Sequence, residues 1–231
     1  DDLAAAPSGV LADPAIARAL GVRTSLAGLL TEPGGPDELL TRLADAARPV
    51  SRPQLRALWS ALATADLNPD DVTPPDQIRA IRGTEIVVAS ADDVLILDAP
   101  DLWPLVADQP LVLGPHIAAS HLADILDLPL ASEEVPGLIE STGEPRPVPE
   151  IVRSVLPTAP ETYQSHDKLA VDGVEIPWRY RDGVIHAATS AGLAHGLAWA
   201  TGRWQARQVL TAILTSPDET PRALADADLE G

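Results

Sequence analysis

Five histidines are the residues of this chain best suited to moving a proton or holding a metal. His166 stands beside Asp167, and a histidine oriented by a carboxylate is one part of a hydrolytic triad. Adjacent side chains of an extended segment point apart, however, and no serine stands in a G-x-S-x-G elbow, so the pair reads as a surface feature of a loop. His116 and His121 are separated by about 140° around a helix and cannot share a metal as an i, i+4 pair would. His186 and His195 fall on different expected elements and meet only if tertiary folding brings them together. The acidic pairs Asp70-Asp71, Asp92-Asp93 and Glu133-Glu134 coincide with expected turns and lack the spacing of an EF-hand loop. A glycosidase would further need its two carboxylates held at a defined separation across a cleft. Cysteine is absent, which excludes disulfides, thiolate metal sites and cysteine nucleophiles. The expectation is a segment with no catalytic residue, no metal and no cofactor.

A second set of residues suits recognition. Trp178-Arg179-Tyr180-Arg181 concentrates the residue types most enriched at binding hot spots. On a strand, Trp178 and Tyr180 share one face, and Arg179 and Arg181 point the other way, to solvent or to the chain's own acids. His195, Trp199, Arg203 and Trp204 follow on a helix and complete the candidate interaction set. On that helix Ala188, Gly192, Gly196 and Ala200 recur every four residues, leaving one ridge nearly bare so that another backbone can approach closely. Each glycine costs a helix about 1 kcal/mol relative to alanine, so two of them imply a steric reason. The histidine, tryptophans and arginine on the same helix argue against a membrane-dimerising ridge.

The elements that must position these residues form an α+β chain. Residues 1–66 are expected to be a helical N-terminal part: a short helix from Asp13-Pro14 to Gly21, another over 36–46, and a third begun by Ser51 with Leu55, Leu58, Trp59 and Leu62 at helical spacing. Residues 67–77, rich in proline and aspartate, are expected to be a linker. Residues 78–231 form the α+β part, with a further division expected near 143–149, where GEPRPVP reads as a surface loop. Within it, 85–89 and 94–97 read as a hairpin, the turn at 98–101 leads into a short helix carrying Trp103, and 111–113 is a third strand. Helices are expected at 117–126 and 150–156. Asp172-Gly173 and Asp182-Gly183 then join 168–171, 174–181 and 184–187 into a three-stranded antiparallel meander. From Thr189, a plausible N-cap, one long C-terminal helix runs to about residue 215, and a last short helix is expected at 218–229.

Composition limits the partners. The 231 residues are 45% hydrophobic but contain no phenylalanine, so aliphatic side chains must fill the interior around a few tryptophan anchors. Acidic residues outnumber basic ones 34 to 16, giving a net charge of −18, whereas nucleic-acid and anionic-membrane affinity draw on lysine and arginine. Neither nucleic acid nor membrane is an expected partner. Lys168 is the single lysine, and the abundance of arginine, alanine, proline and aspartate points to a GC-rich bacterial genome. No run approaches the roughly 18 apolar residues of a membrane span and no signal pattern opens the chain, so a cytoplasmic location is expected. A chain without methionine that begins Asp-Asp-Leu is expected to be processed or an internal piece of a longer polypeptide.

The phrases LILDAPDLWPL, LPLASEEVPG and KLAVDGVEIPWRYRDGVIHAAT followed by GLAHGLAWATGRW resemble the C-terminal region of large actinobacterial sacsin-like proteins. Those proteins carry an N-terminal GHKL-type, chaperone-class ATP-binding domain, and the resemblance runs from about Val10 onward. A GHKL site uses an acidic residue and an asparagine on one helix, a D-x-G-x-G segment and a glycine-rich lid. Here Asp172-Gly173-Val174-Glu175 and Asp182-Gly183-Val184-Ile185 lack the second glycine, so the resemblance implies that ATP binds upstream of this segment. It implies a non-catalytic accessory region, chaperone-like in context, that acts in protein–protein interaction or subunit assembly. The partner would be another protein or the upstream domains of the same polypeptide. The residues themselves leave one alternative open, a small hydrolase-type enzyme using His166, His186 or His195 with acidic partners.

Overall fold

The computed structural model describes residues 25–222 and Ala225, so the expected helix at 13–21 and the end of the one expected at 218–229 lie outside the described residues. The chain is mixed α and β and divides into two compact units. The first comprises residues through Ala99 together with Val106–Glu134, and the second comprises Pro100–Leu105 together with Val135 onward.

The first unit begins with helices α1 (Leu26–Leu30), α2 (Gly35–Ala44) and α3 (Arg52–Thr64). Ser51 and Gln54 close a capping box on α3, each side chain meeting the other's backbone N–H. These helices do not make a separate helical part. Their leucines share one core with the four-stranded sheet β2–β1–β4–β3, made of β1 (Gln77–Arg82), β2 (Glu85–Ser90), β3 (Leu95–Ile96) and β4 (Leu111–Val112). The core also takes Leu122, Ile125 and Leu126 from α4 (Ala119–Leu126), whereas Ile117 in the preceding turn is exposed. Residues 67–77 run within this unit rather than between units. Val72 is buried in the core, and the Asp37 carboxylate accepts the Thr73 N–H at 2.8 Å.

The expected hairpin between 85–89 and 94–97 is replaced by two other pairings. β2 pairs antiparallel with β1, and β3 pairs parallel with β4, with a 3-10 turn at Ala91–Asp93 between them. The sequence QIRAIR conceals β1 because its arginines interrupt the apolar run. Arg79 is nonetheless buried: its guanidinium donates to the Leu43, Arg48 and Asp45 carbonyls at 2.7, 3.0 and 2.5 Å. Those carbonyls lie at and beyond the C-terminal end of α2, where unpaired acceptors and the negative end of the helix dipole favour a cation.

The second unit is built on a sheet of order β5–β6–β10–β9, with β5 (Glu144–Pro147), β6 (Thr162–Ser165), β9 (Trp178–Arg181) and β10 (Val184–Ala187), and a separate two-stranded ribbon of β7 (Ala170–Val171) and β8 (Val174–Glu175). The expected loop at 143–149 is therefore partly an edge strand. Proline is tolerated at a sheet edge, and all four β5 residues are exposed. Both Asp-Gly turns form, with positive φ at Asp172, Gly173, Asp182 and Gly183, the requirement of a type I′ hairpin. They do not produce one meander. Ile176-Pro177 breaks the middle strand, so each turn closes a hairpin in a different sheet.

One face of this sheet is covered by α5 (Glu150–Val155), α6 (Ser190–Ala200) and α7 (Arg207–Thr215), which bury Val152, Leu193, Leu197, Leu210 and Ile213 against Ile185 and Ala187. Thr189 caps α6 by accepting the Gly192 N–H at 2.9 Å. The expected long C-terminal helix is split. Gly202 at φ +68° ends α6 with the Gly202 N–H on Trp199 O and the Arg203 N–H on Ala198 O, and the chain turns through a 3-10 segment, Trp204–Ala206, before α7 begins. A glycine in the left-handed region just past the last turn is a helix stop.

Candidate functional site

Three groups of residues in the second unit concentrate the interactions that chemistry or recognition needs. The first is an aromatic corner at the α6–α7 elbow. His195 and Trp199, one turn apart, project from the same side of α6. Trp204 folds back from the elbow, its ring centroid 5.6 Å from His195 and 6.0 Å from Trp199, the latter edge-on. Trp178 reaches in from β9, 6.2 Å from His195 and 6.0 Å from Trp204. The Arg207 guanidinium lies over the Trp204 ring at 4.9 Å, a cation–π contact. Burial, then the Arg207 charge, hold the His195 pKa below its ordinary value. Trp178 is buried, His195, Trp199, Trp204 and Arg207 are half-buried, and Arg203 is exposed beside them.

The other residues of the Trp-Arg-Tyr-Arg run go elsewhere. Tyr180 shares the helix-covered face of the sheet and packs on the core there. Arg179 lies on the opposite face and is buried, its Nη1 donating to the Asp101 carboxylate at 2.5 Å. Arg181 donates to the Pro136 and Gly137 carbonyls at 2.7 Å each. Two candidate contact residues are thus occupied within the unit. Asp101 has no sequence signal of its own, because a partner 78 positions away is visible only in three dimensions.

The second group is the small-residue ridge. A Cβ on Gly192 would lie 2.1 Å from the Pro177 carbonyl oxygen, and one on Gly196 would lie 2.5 Å from Ile185 Cγ2. The occupants, Pro177 just before β9 and Ile185 on β10, belong to the same unit. Ala188 precedes the helix, its N–H donating to that same Pro177 carbonyl at 3.0 Å, and Ala200 ends it.

The third group lies on the opposite face of the sheet. His166 is buried rather than part of a surface loop pair with Asp167. Its Nδ1 is 2.9 Å from Ser141 Oγ, and its Nε2 is 3.0 Å from His186 Nδ1. Ser141 Oγ also accepts the Ala170 N–H at 3.2 Å. His186 sits opposite Arg179 in the β10–β9 register. Burial lowers the pKa of His166. Burial together with the nearby His166 and Arg179 lowers that of His186. Sequence reasoning missed Ser141, which has no motif around it and meets His166 only because its segment runs alongside β7, with the Glu140 N–H on the Ala170 carbonyl at 2.9 Å. His121 bonds the Ala65 carbonyl in the first unit at 3.2 Å.

Among the described residues no group of three or more His, Cys, Asp and Glu side chains could hold a metal ion, and no helix is long and apolar enough to cross a membrane. The first unit carries a cavity of about 780 Å³ whose lining combines apolar residues, among them Leu26, Leu30 and Val72, with Glu32, Asp66 and Asp71. Comparison of the chain with known protein families, curated proteins and solved structures gives no match.

Proposed function

We propose that this chain is an accessory region of a sacsin-like, chaperone-class ATPase that acts in protein–protein interaction or subunit assembly and leaves nucleotide chemistry to an upstream domain. The observation that carries the reading is the aromatic corner. Two half-buried tryptophans and a histidine cluster beside Arg203 and Arg207, a composition typical of binding hot spots. They form a basic, aromatic spot on a chain of net charge −18. Such a spot suits an acidic or apolar protein surface, and the charge balance of the chain disfavours nucleic acid and anionic lipid. The sequence resemblance supplies the ATPase context, and a cytoplasmic setting is proposed from the sequence, which shows no signal pattern or apolar span.

The test is calorimetric titration of this chain with the ATP-binding domain encoded upstream in the same reading frame, alongside sedimentation of the chain alone across concentration. Binding or self-association is expected, weakened roughly 30-fold by Trp204→Ala, as for a hot spot worth about 2 kcal/mol. ATP alone should give no heat of binding at millimolar concentration. A reading frame without an upstream GHKL domain, or a wild-type chain that neither associates nor binds it, overturns the proposal. A hydrolase-type activity in the same unit is favoured by a separate observation, the hydrogen-bonded series Ser141, His166, His186.

A further inference from the structure

The series Ser141, His166, His186 is placed as a nucleophile, its base and a residue that orients the base would be. We propose that Ser141 is a nucleophile for acyl transfer from carboxylic esters, with His166 as its general base and His186 as a positioning residue. The contacts admit two proton orders, and a general base requires the one in which His166 Nδ1 accepts. The Ala170 N–H fills one acceptor site on Ser141 Oγ, and the hydroxyl proton is directed to His166 Nδ1. His166 then carries its proton on Nε2 and donates it to His186 Nδ1, which leaves the His186 proton on Nε2. Every bond in this arrangement uses one proton, and both rings are neutral. Burial favours that state, so the free base is present at neutral pH, as a general base requires.

The His166 ring is fixed on three sides. Ser141 and His186 hold its two nitrogens, and the backbone at Gly143 passes so close that a Cβ there would lie 2.6 Å from Nε2 and 2.9 Å from Cε1. Any residue but glycine at 143 would displace the base, an independent sign that this approach matters. His166 is buried, whereas Ser141 and His186 are half-buried, so the base is the most shielded member of the series.

In the reaction, Ser141 Oγ forms a bond to the ester carbonyl carbon as its proton passes to His166 Nδ1. The imidazolium so formed is stabilised by its Nε2–H bond to neutral His186, the place a carboxylate takes in a serine triad. Collapse of the tetrahedral intermediate breaks the bond to the alcohol oxygen, which receives the proton from Nδ1 and leaves an acyl-serine. Water, deprotonated by His166, then releases the carboxylic acid and restores Ser141. The sum is ester plus water to acid plus alcohol.

The inference is independent of the aromatic corner, because His186 and Trp178 point to opposite faces of the sheet. The full chain is treated with a fluorophosphonate probe, the labelled peptide is located by mass spectrometry, and p-nitrophenyl acetate is tested for a burst. Labelling of Ser141 is expected, unchanged in Trp204→Ala and slowed roughly 100-fold or more in His166→Gln. Its rate should rise with pH through one ionisation below 6.5, and His186→Gln should shift that midpoint while leaving circular dichroism intact, which a merely structural role would not do. Should Ser141→Ala, the blank for labelling, fail to fold, Ser141→Cys replaces it. Its thiol should alkylate with iodoacetamide at about pH 6 roughly tenfold faster than in the His166→Gln double variant, since a neighbouring base raises the thiolate fraction. A folded wild-type chain without label on Ser141, or one labelled equally fast without His166, overturns the proposal.

Discussion

Arg179 and Asp101 form an ion pair in the interior of the second unit, with side chains 9% and 1% exposed and 2.5 Å between Nη1 and Oδ2. The same Oδ2 accepts the Tyr180 N–H at 2.9 Å, so this one oxygen ties the segment Pro100–Leu105 to β9. Removing either partner leaves the other as an uncompensated buried charge, which costs about 3–5 kcal/mol. Asp101→Asn is therefore expected to lower the urea midpoint strongly. The double variant Asp101→Leu/Arg179→Met should recover much of the loss, because apolar replacement of both partners of a buried pair is often close to neutral. A double variant no more stable than the single one would contradict the pairing.

Gly192 meets a backbone atom and Gly196 a side-chain methyl, and the two should respond differently to substitution. Gly192→Ala forces α6 away from Pro177 and is expected to lower the melting temperature, at a cost of about 1–3 kcal/mol or more despite alanine's better helix propensity. Gly196→Ala should cost less, since Ile185 can shift, and Gly196→Leu should cost more than Gly196→Ala. All three shifts should be independent of protein concentration, because the occupant of the ridge belongs to the same unit. A melt of Gly192→Ala at or above the wild-type midpoint would refute the close contact.

His166, His186 and His195 all titrate below the ordinary 6.5 in the folded chain. As pH falls, the unfolded chain takes up protons first, so the stability these groups confer is complete above about 6.5 and is lost between there and the lower folded values. Thermal midpoints should therefore fall from about pH 7.5 to about pH 5.5. His166→Gln/His186→Gln should flatten that slope relative to wild type. An unchanged slope in the double variant would place the acid sensitivity elsewhere.

Arg79 holds three carbonyls at and beyond the end of α2 from a buried strand position. Arg79→Met keeps the apolar stem but leaves those carbonyls without their donor, and a loss of roughly 3 kcal/mol is expected by denaturant titration, on the scale of charged hydrogen bonds. Arg79→Lys should lie between the two, since an ammonium lacks the planar fork that reaches three acceptors. Equal stability of the Met variant and wild type would show the network to be dispensable.

Local rules were legible wherever a short segment decided the outcome. Ser51 as the N-cap of α3, Thr189 as that of α6, and the two Asp-Gly turns all follow from contacts within a few residues, and each is seen. The separation of Gly192 and Gly196 by one helical turn likewise marked a bare helix face, without naming what lies against it. The stop at Gly202 was present in the sequence, but the apolar periodicity ran through it and hid the elbow that brings Trp204 onto Trp199.

Tertiary structure alone decided the rest. Which strands pair depends on free energy gained between segments far apart in sequence, so β1 was hidden by an arginine whose buried donors are satisfied by carbonyls 31 to 36 residues away. The described helices α1, α2 and α3 share one core with the sheet rather than closing a separate one. The meeting of Ser141, His166 and His186, and that of Arg179 with Asp101, joins groups 20 to 78 positions apart that carry no shared periodicity. Composition set the charge and the aliphatic interior of this protein. The polar groups on the second unit's sheet were placed by packing, because a buried polar side chain takes its partner from whatever the fold brings within about 3 Å, not from its neighbours in sequence.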